Sequence, residues 1–271
     1  MHRAILSLAL VGLAVAPACA ADALTLSFAG SERHFTAAEL LARPDAALIE
    51  LPDDVSYKRA MRYRAVPLLA LIGDAAAADF DTLEARAGDG FVSQIPLDLV
   101  EKAAKGGSIA WVAVEDAKDP WPPLPGKDVS AGPFYIVWEH PERSGVGSEL
   151  WPYQTVAISG AESPAHRWPQ IAVAADLPAD APARLGQGVF TTQCMPCHRM
   201  KGAGVGELGP DLGQPMNPTR YMSPAGLRAL IRNPKSVRTW PQQIMPAFDE
   251  KRLSDADLDA VIAYLAQMAQ H

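Results

Sequence analysis

The chain of 271 residues is long enough for two ordinary domains, and its 24 prolines argue against a single long helical architecture. Its acidic residues lie mainly in the first half, since residues 21–160 carry 21 acidic and 12 basic side chains and residues 161–271 carry 10 and 11. The acidic half argues against nucleic acid as a partner, because phosphate backbones are bound by basic surfaces.

Residues 1–20 have the pattern of a secretory signal peptide: a basic residue near the start, an apolar run over residues 4–15, and small residues up to Ala20. The run is too short to span a bilayer comfortably, so we expect no stable membrane insertion. A lipoprotein anchored through Cys19 is the alternative, but the residues before Cys19 fit a lipid-attachment box poorly. If the chain is bacterial, this pattern predicts a periplasmic protein.

Residues 21–160 mix short β-type runs with amphipathic helical stretches, which predicts an α+β domain with a substantial sheet. The β-type runs are residues 24–28, 47–51, 108–114, 133–139 and 155–159. Helices are expected at residues 37–42 and 97–104. Thr36 and Glu39 form a capping-box pattern for the first of these helices.

A hairpin is expected at Gly88-Asp89-Gly90, which lies between two further β-type runs at residues 82–86 and 91–95. The isolated histidines of this region, His34 and His140, have no partner cluster at metal-ligand spacing. We therefore expect them to be surface or hydrogen-bonded core residues. Trp121, Trp138 and Trp151 are expected to fill the core.

Three stretches of this region resemble the pterin-binding domain of sulfite-oxidase-type molybdenum enzymes. Residues 63–68 (YRAVPL) are similar to that family's Y-x-G-V-P-L segment, residues 89–97 (DGF…IPL) to its D-G-Y…I-P-L hairpin, and residues 132–137 (GPFYIV) to its G-P-x-R-L-V strand. The resemblance implies a molybdopterin-binding-like domain over residues 21–160. However, the region contains no cysteine to bind molybdenum, and Tyr135 stands where the family has arginine. We expect a reused fold with a docking or structural role.

Residues 161–181 hold Pro164, Pro169 and Pro178 among alanines and polar residues. This composition is poorly suited to helix or strand and is typical of a semi-rigid linker. It separates the first domain from a second one at residues 182–271.

Residues 194–198 read Cys-Met-Pro-Cys-His, and C-x-x-C-H is the sequence of covalent c-type haem attachment. Cys194 and Cys197 can each bind one vinyl group of a single haem, and His198 then lies under the iron as an axial ligand. A structural zinc site would need a second pair of ligands, and a thioredoxin-like pair would need a βαβ pattern. Neither pattern is present, so the motif predicts one covalent haem c.

The second domain resembles the class I cytochrome c family over nearly its whole length. Gly186 and Phe190 stand eight and four residues before Cys194, as in that family's first helix. Residues 209–213 (GPDLG) are similar to its G-P-x-L loop, and residues 245–248 (MPAF) to its axial methionine segment. The resemblance implies an all-α fold in which the Pro210 carbonyl holds the ring N–H of His198.

A final helix is predicted from Leu253-Ser254-Asp255 through Gln267, with Ser254 as N-cap and Asp257 in the first turn. Its apolar face is formed by Leu258, Val261, Ile262 and Leu265. In class I cytochromes this face crosses the first helix, so the resemblance implies contacts of Tyr264 and Leu265 with Gly186 and Phe190.

The second axial ligand is expected to be Met245, because it alone lies in an M-P-x-F context before the final helix. Met216 and Met222 remain alternatives. Met195 and Met200 are too near His198 along the chain to reach the opposite haem face, and Met268 lies within the final helix.

An iron with both axial positions filled by His198 and Met245 suits electron transfer, since it has no open site for a substrate. The sequence therefore predicts a periplasmic mono-haem cytochrome that carries single electrons between a periplasmic dehydrogenase and a downstream cytochrome or oxidase. Two alternatives remain open: a haem oxidoreductase whose first domain binds a pterin or small substrate, and a haem-based redox sensor or assembly protein. The four basic residues Arg228, Arg232, Lys235 and Arg238 are expected to form a solvated helix face rather than a docking site.

Overall fold

Buried apolar side chains form two separate clusters, one between Leu24 and Ile158 and the other between Ile171 and Met268. The computed structural model describes residues 23–73 and 80–270, and the signal peptide expected at residues 1–20 lies outside them. We call residues 23–161 the sheet domain and residues 168–270 the helical domain. No helix within these described ranges has the length and apolarity needed to cross a membrane.

The described part of the sheet domain contains nine strands. They are β1 (Ala23–Phe28), β2 (Ser31–Thr36), β3 (Ala47–Leu51), β4 (Met61–Pro67), β5 (Thr82–Ala87), β6 (Val92–Pro96), β7 (Ile109–Val114), β8 (Phe134–Glu139) and β9 (Thr155–Ala161). Five of them form a sheet in the order β2-β1-β9-β5-β6, and four form a second sheet in the order β3-β4-β7-β8. All pairings are antiparallel except that of β1 with β9. The region is thus mixed α and β, with two sheets.

The described helices of the sheet domain are short, and three of those in the helical domain are longer. They are α1 (Ala37–Leu41), α2 (Leu68–Ile72), α3 (Leu97–Glu101), α4 (Pro164–Arg167), α5 (Pro182–Val189), α6 (Pro224–Arg232), α7 (Pro234–Val237) and α8 (Asp255–Met268). Thr36 caps α1 with the reciprocal bonds of a capping box, as expected from its spacing to Glu39. The helix expected over residues 97–104 is wrong in its second half, because the α-helix ends at Glu101 and a 3₁₀ turn follows at Lys102–Lys105.

All five β-type runs are strands in the structure, and the hairpin at residues 88–90 joins β5 to β6. The Asp89 side chain accepts the N–H of Phe91, and Gly90 has a φ of +93°, which a side chain would disfavour. This hairpin places the start of β6 against the helical domain. The Val92 N–H donates to the Pro196 carbonyl at 3.4 Å.

The proline-rich segment after β9 is more ordered than a linker of its composition suggests. It forms α4 and a 3₁₀ turn at Pro169–Ile171, so the expectation that it is unsuited to helix is wrong. Ile171 and Val173 are buried in the core of the helical domain. The hydroxyl of Tyr264 in α8 donates to the Ile171 carbonyl at 2.8 Å.

The helical domain is built on the crossing of α5 and α8. Ser254 caps α8 by accepting the N–H of Asp257, as predicted. Phe190 and Tyr264 bring their ring centroids to 5.2 Å, and a Cβ on Gly186 would overlap the Ala260 carbonyl and lie 2.8 Å from Tyr264 Cβ. The two helices are therefore in backbone contact at Gly186, where only glycine fits.

Replacing Gly186 with alanine should destabilise the protein by about 1–3 kcal/mol, because the added methyl group forces α5 away from α8. Gly188→Ala is the matched control, since a Cβ at Gly188 meets no atom within 4 Å. That change should leave stability unaltered or raise it by about 0.5–1 kcal/mol through the better helix propensity of alanine. Chemical denaturation of both full-length variants measures the difference, and equal stabilities would contradict this account of the crossing.

Candidate functional site

The C-x-x-C-H segment directly follows α5. The chain leaves that helix through a π-helical turn at Phe190–Cys194, and the Cys194 carbonyl then accepts the N–H groups of Cys197 (3.1 Å) and His198 (2.9 Å). Both cysteines are free and half-buried. Burial raises the pKa of each thiol to about 12, and the Glu149 carboxylate adds to this effect. Two neutral thiols and an imidazole therefore lie on one tight turn.

The imidazole of His198 is oriented by the next loop. The Pro210 carbonyl lies 2.7 Å from Nδ1, and because a carbonyl only accepts, Nδ1 carries the proton and Nε2 is left with its lone pair. Burial lowers the pKa of His198, although the bond to Pro210 and the charge of Asp211 act in the opposite direction. The result is a neutral imidazole whose Nε2 has a free lone pair and could ligate a metal.

Two glycines allow the Pro210 loop to approach this segment. A Cβ on Gly209 would overlap the His198 ring, and one on Gly206 would lie 2.6 Å from the Met195 carbonyl oxygen. The Gly209 N–H also donates to the Cys197 carbonyl at 2.8 Å. The backbone of the Pro210 loop therefore packs directly against the His198 ring, and a side chain at Gly209 would prevent this contact.

Asp211 fixes the conformation of the same loop. Its carboxylate accepts backbone N–H groups from two segments, and the donors are Lys201, Gly202, Gly213 and Gln214. Burial acts to raise the pKa of Asp211, but these four donors outweigh it and hold the pKa below its ordinary value. Asp211 stands within the G-P-x-L motif, but the sequence pattern gives no indication of this role.

The methionines of the helical domain lie in three kinds of position. Met195, Met200 and Met268 are fully buried in its core. Met216 is 54% exposed, and Met222 is half-buried. Met245 is half-buried and packs against the same core as Cys194 and Leu212. Among the described methionines outside the fully buried set, Met245 is the one that packs against this core.

The residues present fit a covalently attached haem. The two thiols can form thioethers, His198 offers Nε2, and Met245 offers a thioether sulfur. Two further buried donors near these residues, Arg199 Nε and Gln243 Nε2, have no acceptor among residues 23–73 and 80–270. A carboxylate side chain of a haem is an acceptor of the right chemistry for both.

The sheet domain also reaches this site. Arg252, seven residues after Met245, donates from Nε to Ser148 Oγ at 2.9 Å and forms a salt bridge with Glu149. The Arg252 Nη2 makes the salt bridge, and the Arg252 Nη1 lies 3.4 Å from the Ala247 carbonyl. Sequence analysis identified neither Arg252 nor Glu149, because single charges 103 residues apart carry no local pattern.

The four basic residues after Pro224 do not form one free surface. Arg228 pairs with Asp255 and Asp259, and Arg232 pairs with Asp255. Arg238 stacks over the Trp240 ring at 4.6 Å. Two of the four side chains therefore join α6 to α8.

Two of the three sheet-domain stretches that resemble pterin-binding segments, residues 63–68 and 132–137, meet in a buried cluster around Asp54. Asp54 accepts the Tyr63 hydroxyl at 2.9 Å and the N–H groups of Ser56 and Tyr57. The Tyr135 hydroxyl lies 2.9 Å from Ser56 Oγ and 3.3 Å from Asp54. Burial raises the pKa of Asp54 despite these donors. Tyr63 and Tyr135 are thus satisfied within the domain. His34 and His140 lie at the surface.

Residues 183–269 match the family model described as Cytochrome c, which is about a third of the chain. The helical domain is therefore a cytochrome c domain, and this family implies covalently bound haem c and haem-based electron transfer. A search of curated proteins found no significant match to the chain.

Gly209→Ala should lower the haem content per chain, because its methyl group would displace the His198 ring from the Pro210 carbonyl. We expect an accompanying loss of stability of about 1–3 kcal/mol. Haem absorbance per milligram of purified full-length protein measures the first effect, and Gly188→Ala again serves as control. Wild-type haem content and stability in Gly209→Ala would refute the close packing of loop and ring.

Proposed function

We propose that this chain is a periplasmic mono-haem c-type cytochrome that carries single electrons between a dehydrogenase and a downstream cytochrome or oxidase. The observation that carries the proposal is the His198 imidazole beside two free thiols, with Nδ1 held by the Pro210 carbonyl and Nε2 left to bind iron. The haem supplies one-electron redox chemistry when bound.

The chain's own residues determine how that chemistry is used. Cys194 and Cys197 fix the group covalently, and the Pro210 bond orients His198 and increases its basicity as a ligand. His198 and Met245 would hold the iron of a bound haem. Two protein ligands would leave no place for a substrate on the iron, which would favour electron transfer over catalysis.

The sheet domain is proposed to orient the helical domain on its redox partner. The alternative is that it binds a pterin or another small molecule and passes electrons to the haem within one chain. The Asp54 cluster argues against this alternative, since Tyr63 and Tyr135 are buried and hydrogen-bonded to other protein groups. The signal-like segment at residues 1–20 supports secretion, and the covalent attachment motif is consistent with an extracytoplasmic site.

The purified protein should carry a haem that survives acid–acetone extraction and stains on a denaturing gel, because thioether bonds withstand both treatments. Changing Cys194 and Cys197 together to alanine should abolish the stain. A stain that persists in the double variant would refute covalent attachment at these residues.

The metal content of the same wild-type preparation separates the two roles of the sheet domain. If the protein is an electron carrier, metal analysis should find iron and no molybdenum. Stoichiometric molybdenum, or a pterin released on denaturation, would favour the enzyme instead.

Met245→Ala should remove the weak far-red charge-transfer band of thioether-ligated ferric haem and lower the midpoint potential, since a neutral sulfur ligand favours the ferrous state. It should also open the iron to cyanide and carbon monoxide. Met216→Ala is the matched control, because the Met216 side chain is largely exposed. If the Met216 variant or a Met222→Ala variant loses the band and Met245→Ala keeps it, the ligand is misassigned.

A further inference from the structure

The sheet domain contacts both segments of the chain that carry the axial ligands proposed above. On one side, the Val92 N–H at the start of β6 donates to the carbonyl of Pro196, within the attachment motif. On the other side, Ser148 and Glu149 bind Arg252, which follows residues 245–248, called the Met245 segment below. His198 and Met245 are far apart in sequence, yet both have to keep their positions relative to one haem. The sheet domain contacts the chain next to each of them.

The residues that bind Arg252 are anchored in the sheet domain. Ser148 and Glu149 form a 3₁₀ turn with Leu150, whose carbonyl accepts the Trp138 Nε1–H at 2.8 Å. The Ser93 hydroxyl of β6 donates to the Glu149 carbonyl at the same distance. Because Trp138 and Ser93 are fully buried, the turn cannot shift without disturbing the core.

Arg252 transmits this anchoring to the Met245 segment. Its guanidinium lies 4.5 Å from the centre of the Phe248 ring and within hydrogen-bond distance of the Ala247 carbonyl. Phe248 is itself buried in the core of the helical domain. The Arg252 side chain therefore connects Glu149 to residues two and three positions after Met245.

The connection depends on the negative charge of Glu149, which is the counter-ion of Arg252. The Glu149 side chain is 8% exposed, and Arg252 is its only salt-bridge partner among the described residues. Removing the carboxylate would leave a guanidinium partly buried without its counter-ion, which is unfavourable. Arg252 would then turn toward water and give up its contacts with Ala247 and Phe248.

We propose that Glu149 is a positioning residue for the haem site, acting through Arg252 to hold the Met245 segment in place. The inference rests on the proposed function, in which Met245 is an axial ligand. Arg232 holds the same segment from within the helical domain by donating to the carbonyl of Phe248 (2.8 Å), and it also donates to the Leu253 carbonyl after the segment (2.6 Å). Loss of Glu149 therefore loosens the segment without unfolding the domain.

The test uses the full-length haem protein with Glu149→Gln, which keeps the shape of the side chain and removes its charge. We expect unchanged haem content, loss of the far-red band at a lower temperature, and cyanide binding to the ferric iron on the order of tenfold faster. Glu84→Gln is the matched control, because Glu84 is 12% exposed and pairs with Arg167 away from the Met245 segment. The control should retain the wild-type band and cyanide rate.

Two further variants test the route through Arg252. Ser148→Ala removes the hydroxyl that accepts from Arg252 Nε and donates to the Glu149 carboxylate, and because the salt bridge remains, it should give a smaller shift in the same direction. In an Arg252→Gln background, Glu149→Gln should add little, since both changes break the same connection. Additive effects there, or equal effects of Glu149→Gln and Glu84→Gln, would overturn the proposal.

The outcomes also separate this inference from the proposed function. A wild-type protein that lacks the far-red band and binds cyanide at once would refute axial ligation by methionine, and the inference would fall with it. A wild-type band that Glu149→Gln leaves untouched refutes the inference alone.

Discussion

The hydrogen bond between His198 and the Pro210 carbonyl is the contact on which the candidate site depends. It assigns the ring proton to Nδ1 and directs Nε2 away from the loop. The backbone around Pro210 holds its carbonyl oxygen beside the His198 ring. Gly209 removes the side chain that would separate loop and ring, and Asp211 holds the loop through four N–H groups. The site is thus determined by backbone geometry as much as by the ligating side chain.

Sequence reasoning succeeded where the physical cause is local. The attachment motif, the cap of α8 at Ser254 and the hairpin at residues 88–90 each depend on residues a few positions apart, and all are visible as short patterns. Seven of the nine described strands are predicted for the same reason, and β2 and β4 are the two that are not. The sequence of β2, SERHFT, forms an exposed edge strand whose side chains are mostly polar, so no apolar pattern marks it.

The contacts between the domains were beyond sequence reasoning. Glu149 and Arg252 are ordinary charged residues, and only the folded chain brings them together. The Asp54 cluster is a second arrangement that only the folded chain brings together. Two of the stretches that resemble a pterin-binding family, in β4 and β8, each contribute a tyrosine whose hydroxyl lies within hydrogen-bond distance of the buried Asp54.

The burial of Ile171 and Val173 has a consequence for where the helical domain begins as a unit of folding. The family match starts at residue 183, yet these two side chains lie in the same core as Phe190 and Leu265, and Tyr264 donates to the Ile171 carbonyl. A fragment cut at the family boundary would lack part of its own core and leave a tyrosine hydroxyl without its acceptor. Chimeras that transplant this domain need to carry the preceding segment with it, because the unit that folds is longer than the unit that is recognised by sequence.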